Sequence, residues 1–129
     1  MNQTGFTVLI LANAPTLSSA LQALVSSISE TQTIAVALEL PAGIQLAIEL
    51  QPDLAILEAG DEMEIAAKQM EALRQVSWRT RFLVLAEDGD AKKAPSLASA
   101  EMVVIKGNAY TELVEVIEQL LNRNRKHEG

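Results

Sequence analysis

The sequence predicts an α/β fold, a five-stranded doubly wound parallel sheet with helices on both faces. Five short apolar runs alternate along the chain with segments whose apolar residues fall at helical spacing. Each run is near-continuously apolar, the pattern of strands buried on both faces, and lacks the alternation of strands with one face in water. No linker, internal repeat or low-complexity stretch interrupts the order, so residues 1–129 read as a single domain with a basic tail from about residue 122.

The first run is Thr7 to Leu11, TVLIL, broken by ANAPT. From Thr16, Leu17, Leu21, Leu24, Val25 and Ile28 mark one face of a helix, with Ser18, Ser19, Gln22 and Ser26 on the other. Ile34 to Leu38 is the second strand. Pro41 to Leu50 is a short helix with its proline in the first turn, where a missing N–H is tolerated. Leu54 to Leu57 is the third strand, ending on Glu58. Glu62 to Val76 is a helix with Ile65, Ala66, Met70 and Leu73 inward, and Phe82 to Leu85 is the fourth strand. Ala91 to Ala100 forms a weaker helix interrupted by Pro95, and Met102 to Ile105 is the fifth strand. Thr111 to Asn124 closes the chain, with Leu113, Val116, Ile117, Leu120 and Leu121 apolar and Arg123 and Arg125 at the negative end of the helix dipole.

Composition narrows the function classes. At 129 residues, 49% of them hydrophobic, the chain can bury one sizeable core. The absence of cysteine excludes disulfides and thiolate metal sites. A net charge of −7 argues against nucleic-acid binding, which needs clustered Lys and Arg, and the one such cluster, Arg123, Arg125 and Lys126, sits in the tail. No apolar segment has the length of a membrane span and no signal peptide opens the chain, so a cytoplasmic location without membrane contact is expected.

In doubly wound sheets ligands bind beyond the carboxyl ends of the strands. The residues placed there are Ala12 and Asn13, Glu39, Glu58, Ala86 and Glu87, and Lys106. The order VLIL, an amphipathic helix, QPDLAILE, FLVLAED, and VVIK followed by TELVEVIEQLL resembles the response-regulator receiver domain over nearly the whole chain. This resemblance implies the receiver/flavodoxin-like form of the fold and a role in two-component signal transduction. It aligns Glu58 with the family's phospho-accepting aspartate and Lys106 with its lysine.

The resemblance also implies what is missing. The family's Mg2+-holding acids would stand at Ala12 and Asn13, its Ser or Thr switch at Ala86, and its aromatic switch at Val103. A Mg2+ ion needs one or two carboxylates, and phosphoryl transfer needs metal and positive charge. The sequence thus reads as a pseudo-receiver, with no enzyme activity and no cofactor or metal. It would act as a phosphorylation-independent module that binds a protein of a signalling pathway. Glu58 would stand in for a phosphorylated aspartate, paired with Lys106 at short range. The other readings are a solvated strand end for Glu58 and a surface position for Lys106.

Two further functions compete. One is a small-molecule sensor using the pocket lined by Ala12, Asn13 and Ala86. The other, a flavin-binding protein, would use the hydroxyls of Thr16, Ser18 and Ser19, but that loop lacks glycine and the chain has few aromatic residues to hold a ring. Glu87, Asp88 and Asp90 read as a solvated loop, the sharper alternative being a rebuilt cation site with Glu58. The single histidine, His127, reads as solvated, which leaves no catalytic triad. Trp78 is expected to be partly buried between helix and strand. A homodimer through the last helix is expected, with Val114 and Leu121 at its surface.

Overall fold

The computed structural model describes residues 5–28, 31–60, 62–87, 100–105 and 112–120. In chain order the elements are β1 (Phe6–Leu11), α1 (Pro15–Ser26), β2 (Thr31–Ala37), α2 (Leu40–Leu50), β3 (Leu54–Gly60), α3 (Met63–Val76), β4 (Arg81–Ala86) and β5 (Met102–Ile105). A C-terminal helix follows over 112–120. All five strands pair in parallel in the order β2-β1-β3-β4-β5. The doubly wound sheet expected from the apolar runs is therefore the observed one.

Alternation of side chains along each strand divides the core into two layers. Val8, Ile10, Leu54, Ile56, Leu83 and Leu85 pack with Leu21 and Val25 of α1 and with Leu113, Val116, Ile117 and Leu120 of the C-terminal helix. Leu9, Leu11, Ala55, Leu57, Phe82 and Val84 pack with Ala47 of α2 and with Ala66, Met70 and Leu73 of α3. Runs such as LVL must be apolar throughout because both layers draw on them. All four described apolar residues of the C-terminal stripe go inward, so Val114, half-buried, is the apolar residue that a homodimer through this helix would use, while Leu121 lies outside the described residues.

The structure corrects several sequence expectations. Leu38 does not end β2 but lies past it, 50% exposed. Ile65 is also 50% exposed, because Ala66, Met70 and Leu73 already set the inward line of α3 and its neighbour at Ile65 is rotated off that line. Ser18 is buried, with its hydroxyl donating to the Pro15 carbonyl at 3.1 Å, and does not belong to the solvated face of α1. Trp78 is 84% exposed, not partly buried, since the turn after α3 carries it away from the sheet. The expected helix at Ala91 to Ala100 falls, but for its last residue, outside the described residues.

Polar bonds tie together the amino ends of the strands. Asp53 accepts from the Thr7 N–H at 2.8 Å and from Arg79 at 2.8 Å, and the Thr80 hydroxyl donates to the Pro52 carbonyl at 2.7 Å. Gln51, the left-handed cap of α2 at φ 47°, donates its side-chain amide to the Val76 carbonyl at 2.9 Å and so links the ends of α2 and α3. This end is built for stability. The opposite end is left for the site.

Gly43 offers a direct check on the packing of α2. A Cβ there would lie 3.6 Å from Leu11 Cδ1 and 3.7 Å from Ala37 Cβ, ordinary contact distances. Gly43→Ala should therefore stabilise the fold by about 0.5–1 kcal/mol through helix propensity, read by chemical denaturation. A loss instead would mean that α2 sits closer to β1 and β2 than described.

Candidate functional site

The carboxyl ends of β1, β2 and β3 surround a cleft of about 250 Å³. It is lined by Leu11, Ala12 and Asn13 after β1, Leu38 after β2, Glu58 and Ala59 of β3, and Glu62, Ile65 and Gln69 at the start of α3. Its position follows from topology. The strand order reverses between β1 and β3, so the connections leaving these strands turn to opposite faces and open a crevice.

Glu58 does not end its strand. β3 continues to Gly60, and its pairing with β4, which begins at Leu54 opposite Arg81, passes from Glu58 opposite Leu85 to Gly60 opposite Ala86 with a one-residue irregularity between them. Pairing with β1 stops earlier, at Leu57 opposite Leu11. Glu58 thus projects where one neighbouring strand has ended and the other has not. The extra residue, Ala59, is the device by which the strand keeps its pairing while the chain turns towards α3. Glu58 is half-buried and engaged in an interaction within the chain.

Ala12 is buried at 3% exposure within the apolar layer shared with α1, and its N–H donates to the Ala37 carbonyl at 3.1 Å. Asn13 beside it is exposed. Ala86 is fully buried in the layer of α2 and α3, and Val103 packs against that layer. Ala86 is the last residue of β4 and does not lie beyond it. The structure brings Ala12, Asn13 and Glu58 into one cleft. Ala86 and Val103 lie on neighbouring strands and do not line it.

Lys106, Asp88, Asp90, His127 and the basic tail lie outside the described residues, while Glu87 is exposed and Glu39 caps the start of α2 through its backbone alone. Among the described residues no three His, Cys, Asp or Glu side chains gather as a metal set. No described helix is long and apolar enough to cross a membrane. The hydroxyl of Ser18 is spent on the Pro15 carbonyl, which removes one of the three hydroxyls that a phosphate loop would use. Leu38, Glu62, Ile65 and Gln69 were not legible as cleft residues. The available signal was the pair Ile65 and Ala66, since two adjacent apolar positions cannot both face the centre of a helix's buried side.

No protein-family model and no curated protein matches the sequence. Solved structures do. The signal receiver domain of an HD domain-containing protein from Pseudomonas fluorescens Pf-5 is similar at a TM-score of 0.77 and 20% identity, over 99% of this chain and 95% of that one. The response regulator domain of Thermotoga maritima CheB is similar at a TM-score of 0.75 and 20% identity, over 92% of this chain and 97% of that one. A pilus assembly protein, CpaE, from Caulobacter crescentus CB15 is similar at a TM-score of 0.68 and 14% identity, over 89% of this chain and 98% of that one. Strand order, helix placement and these similarities together show that the chain has the receiver fold.

Proposed function

We propose that this domain is a receiver-like signalling module that binds a protein partner without being phosphorylated. The observation that carries the reading is Ala12. The resemblance puts a Mg2+-holding acid at this position, and the structure has a methyl group there, buried in the apolar layer. A hard divalent cation keeps its waters and takes carboxylates, and neither Ala12 nor Asn13 is one. Ala86, fully buried, cannot donate the hydrogen bond that a switch hydroxyl gives to a phosphoryl group.

Glu58 in this reading carries a permanent negative charge where a receiver gains one by phosphorylation. Lys106, three residues beyond Val103 in sequence, is proposed as its partner, turning a regulated contact into a fixed one. A double-mutant cycle on Glu58→Gln and Lys106→Met, followed by denaturant unfolding, should show coupling of roughly 0.5–3 kcal/mol between the two sites. Strictly additive losses would leave Glu58 as an acid near a strand end and remove the fixed contact from the reading. Acceptance of phosphate from acetyl phosphate would overturn the reading as a whole.

The role as an interaction module is favoured over a small-molecule sensor by the size of the cleft. At about 250 Å³ it falls below the roughly 300–1,000 Å³ of sites that enclose small ligands.

A further inference from the structure

We propose that two copies of this chain pair edge to edge through β2, antiparallel about a two-fold axis at Ala35, so that their sheets continue into one another. This goes beyond the proposed function and does not depend on it, since neither the cleft nor phosphate chemistry enters.

β2 lies at the edge of the sheet, with β1 as its neighbouring strand. The Ala12 N–H donates to the Ala37 carbonyl, so Ala37 faces β1. In a strand the N–H and C=O of one residue point to one side, and those of the next residue point to the other. Ala35 therefore also faces β1, while Ile34 and Val36 turn their N–H and C=O groups to the open edge. Among the described residues nothing bonds to these outward groups. The irregularity in the pairing with β1 lies at its start, between Phe6 and Thr7, and leaves Thr33 to Ala37 regular.

Edge strands are ordinarily protected by brevity, by charge, by proline or by a bulge that turns the edge away. β2 has seven residues, TQTIAVA, with no charge and no proline. The other edge strand, β5, has four. The longer edge is thus the unprotected one, and its outward main-chain groups are a template for a further strand.

Charge and side-chain pattern select a second copy as that strand. Two chains of net charge −7 repel each other, and β2 offers a strip where neither brings an acid into the contact. With the two-fold axis at Ala35, Ile34 of one copy stands opposite Val36 of the other, and the reverse, each pair exchanging two main-chain bonds. The side chains match as well. Ile34 and Val36 are half-buried and pack against the layer under α1, whereas Ala35 packs against the layer under α2. Opposed residues share a face in an antiparallel pair, so β-branched Ile34 and Val36 meet twice on the α1 face. On the other face Ala35 meets its own copy, where a small side chain lets the two strands close. The contact is isologous, stops at two chains and removes the open edge.

The test is sedimentation velocity over a dilution series of the intact chain, with amide exchange followed by NMR at the concentrated end. The expected result is a reversible dimer in which the amides of Ile34 and Val36 exchange as slowly as those of Ala35 and Ala37, which β1 protects in any case. Val36→Pro removes from each copy an N–H that β1 does not use, and should weaken the dimer about tenfold or more while leaving the cooperative unfolding of the domain intact. If that variant does not fold, exchange at Ile34 and Val36 in the unaltered chain decides the matter alone. A single-chain mass at every concentration would overturn the proposal. So would a dimer in which Ile34 and Val36 exchange fast, or one that survives Val36→Pro unchanged, because self-association would then use another surface such as the last helix. Slow exchange at both amides in a monomer would overturn it too, in favour of a cover from the chain itself.

Discussion

Replacing Ala12 with aspartate should destabilise the domain by about 3 kcal/mol in metal-free buffer. The side chain at this position is 3% exposed and packs within the apolar layer under α1. An acid introduced there loses hydration and gains no cationic partner among the described residues, while Glu58, half-buried on the same cleft, adds like charge. Both effects raise the folded-state pKa of the new carboxyl above its unfolded value of about 3.9. An acid with a raised folded pKa costs stability above its unfolded pKa, and the cost fades as pH falls below it. Denaturant unfolding should therefore show the full loss near neutrality and a much smaller one below about pH 4. Adding Asn13→Asp and Glu58→Asp should make the loss recoverable by millimolar Mg2+, because bound metal stabilises only the folded state. A variant as stable as the parent at neutral pH would mean that the β1–α1 turn is open to water. The substitution of alanine for an acid would then say little about metal binding.

Phe82→Ala should cost about 3–5 kcal/mol, the range for emptying a large buried aromatic site. Phe82 is fully buried and heads the largest side chains of the core. It sits in the layer of Met70 and Leu73, with the Arg74 guanidinium 4.8 Å from its ring centroid. Its backbone is held on both sides by Glu101. The Phe82 N–H donates to the Glu101 carboxylate at 2.9 Å, and the Glu101 N–H donates to the Phe82 carbonyl at 2.9 Å. With the main chain fixed, β4 cannot shift to close the cavity. Arg74→Met should cost less than Phe82→Ala, since it removes the cation over the ring and leaves the burial in place. Urea unfolding of the two variants separates these effects. A Phe82→Ala loss below about 1.5 kcal/mol would mean that the site collapses and that β4 is not the rigid centre described.

The strands were readable wherever both faces are buried. Val8 to Leu11 and Leu83 to Leu85 need apolar residues at every position, and few other structures of that length do. Helical faces were readable to within one position. Ile65 fails because periodicity finds the centre of a buried stripe and says nothing of how wide the neighbouring helix makes it. Leu38 fails for the related reason that an apolar residue after a strand looks like more strand until the pairing partner is known. Glu58 looked like a terminus because a charge usually closes a buried run. Whether β3 continues past it depends on β4, which pairs as far as Ala86, and that information is about 25 residues away in sequence. The Asp53–Arg79 pair, separated by 26 positions, was hidden in the same way. Trp78 fails because hydrophobicity is not a rule about exposure at turns.

The cleft itself was legible in part. Ala12, Asn13 and Glu58 follow from strand order, which the apolar runs and their spacing suffice to suggest. The walls come from α3 and from the end of β2, whose angles against the sheet no local pattern specifies. The consequence is chemical as well as geometric. Sequence reading pointed to a site that had lost carboxylates at Ala12 and Asn13, whereas the folded cleft also holds Glu62, with Leu38 and Ile65 on its two sides.

The most direct measurement is the intact mass of the chain after incubation with acetyl phosphate and millimolar Mg2+. In the proposed reading, the buried methyl of Ala12, the amide of Asn13 and the buried methyl of Ala86 stand where a metal set and a phosphoryl-contacting hydroxyl would be needed to modify Glu58. The predicted spectrum is a single species at the unmodified mass, unchanged by Mg2+. A species heavier by one phosphoryl group, present only with Mg2+ and lost in Glu58→Gln, would contradict the phosphorylation-independent reading and make this domain a working receiver with a glutamate acceptor.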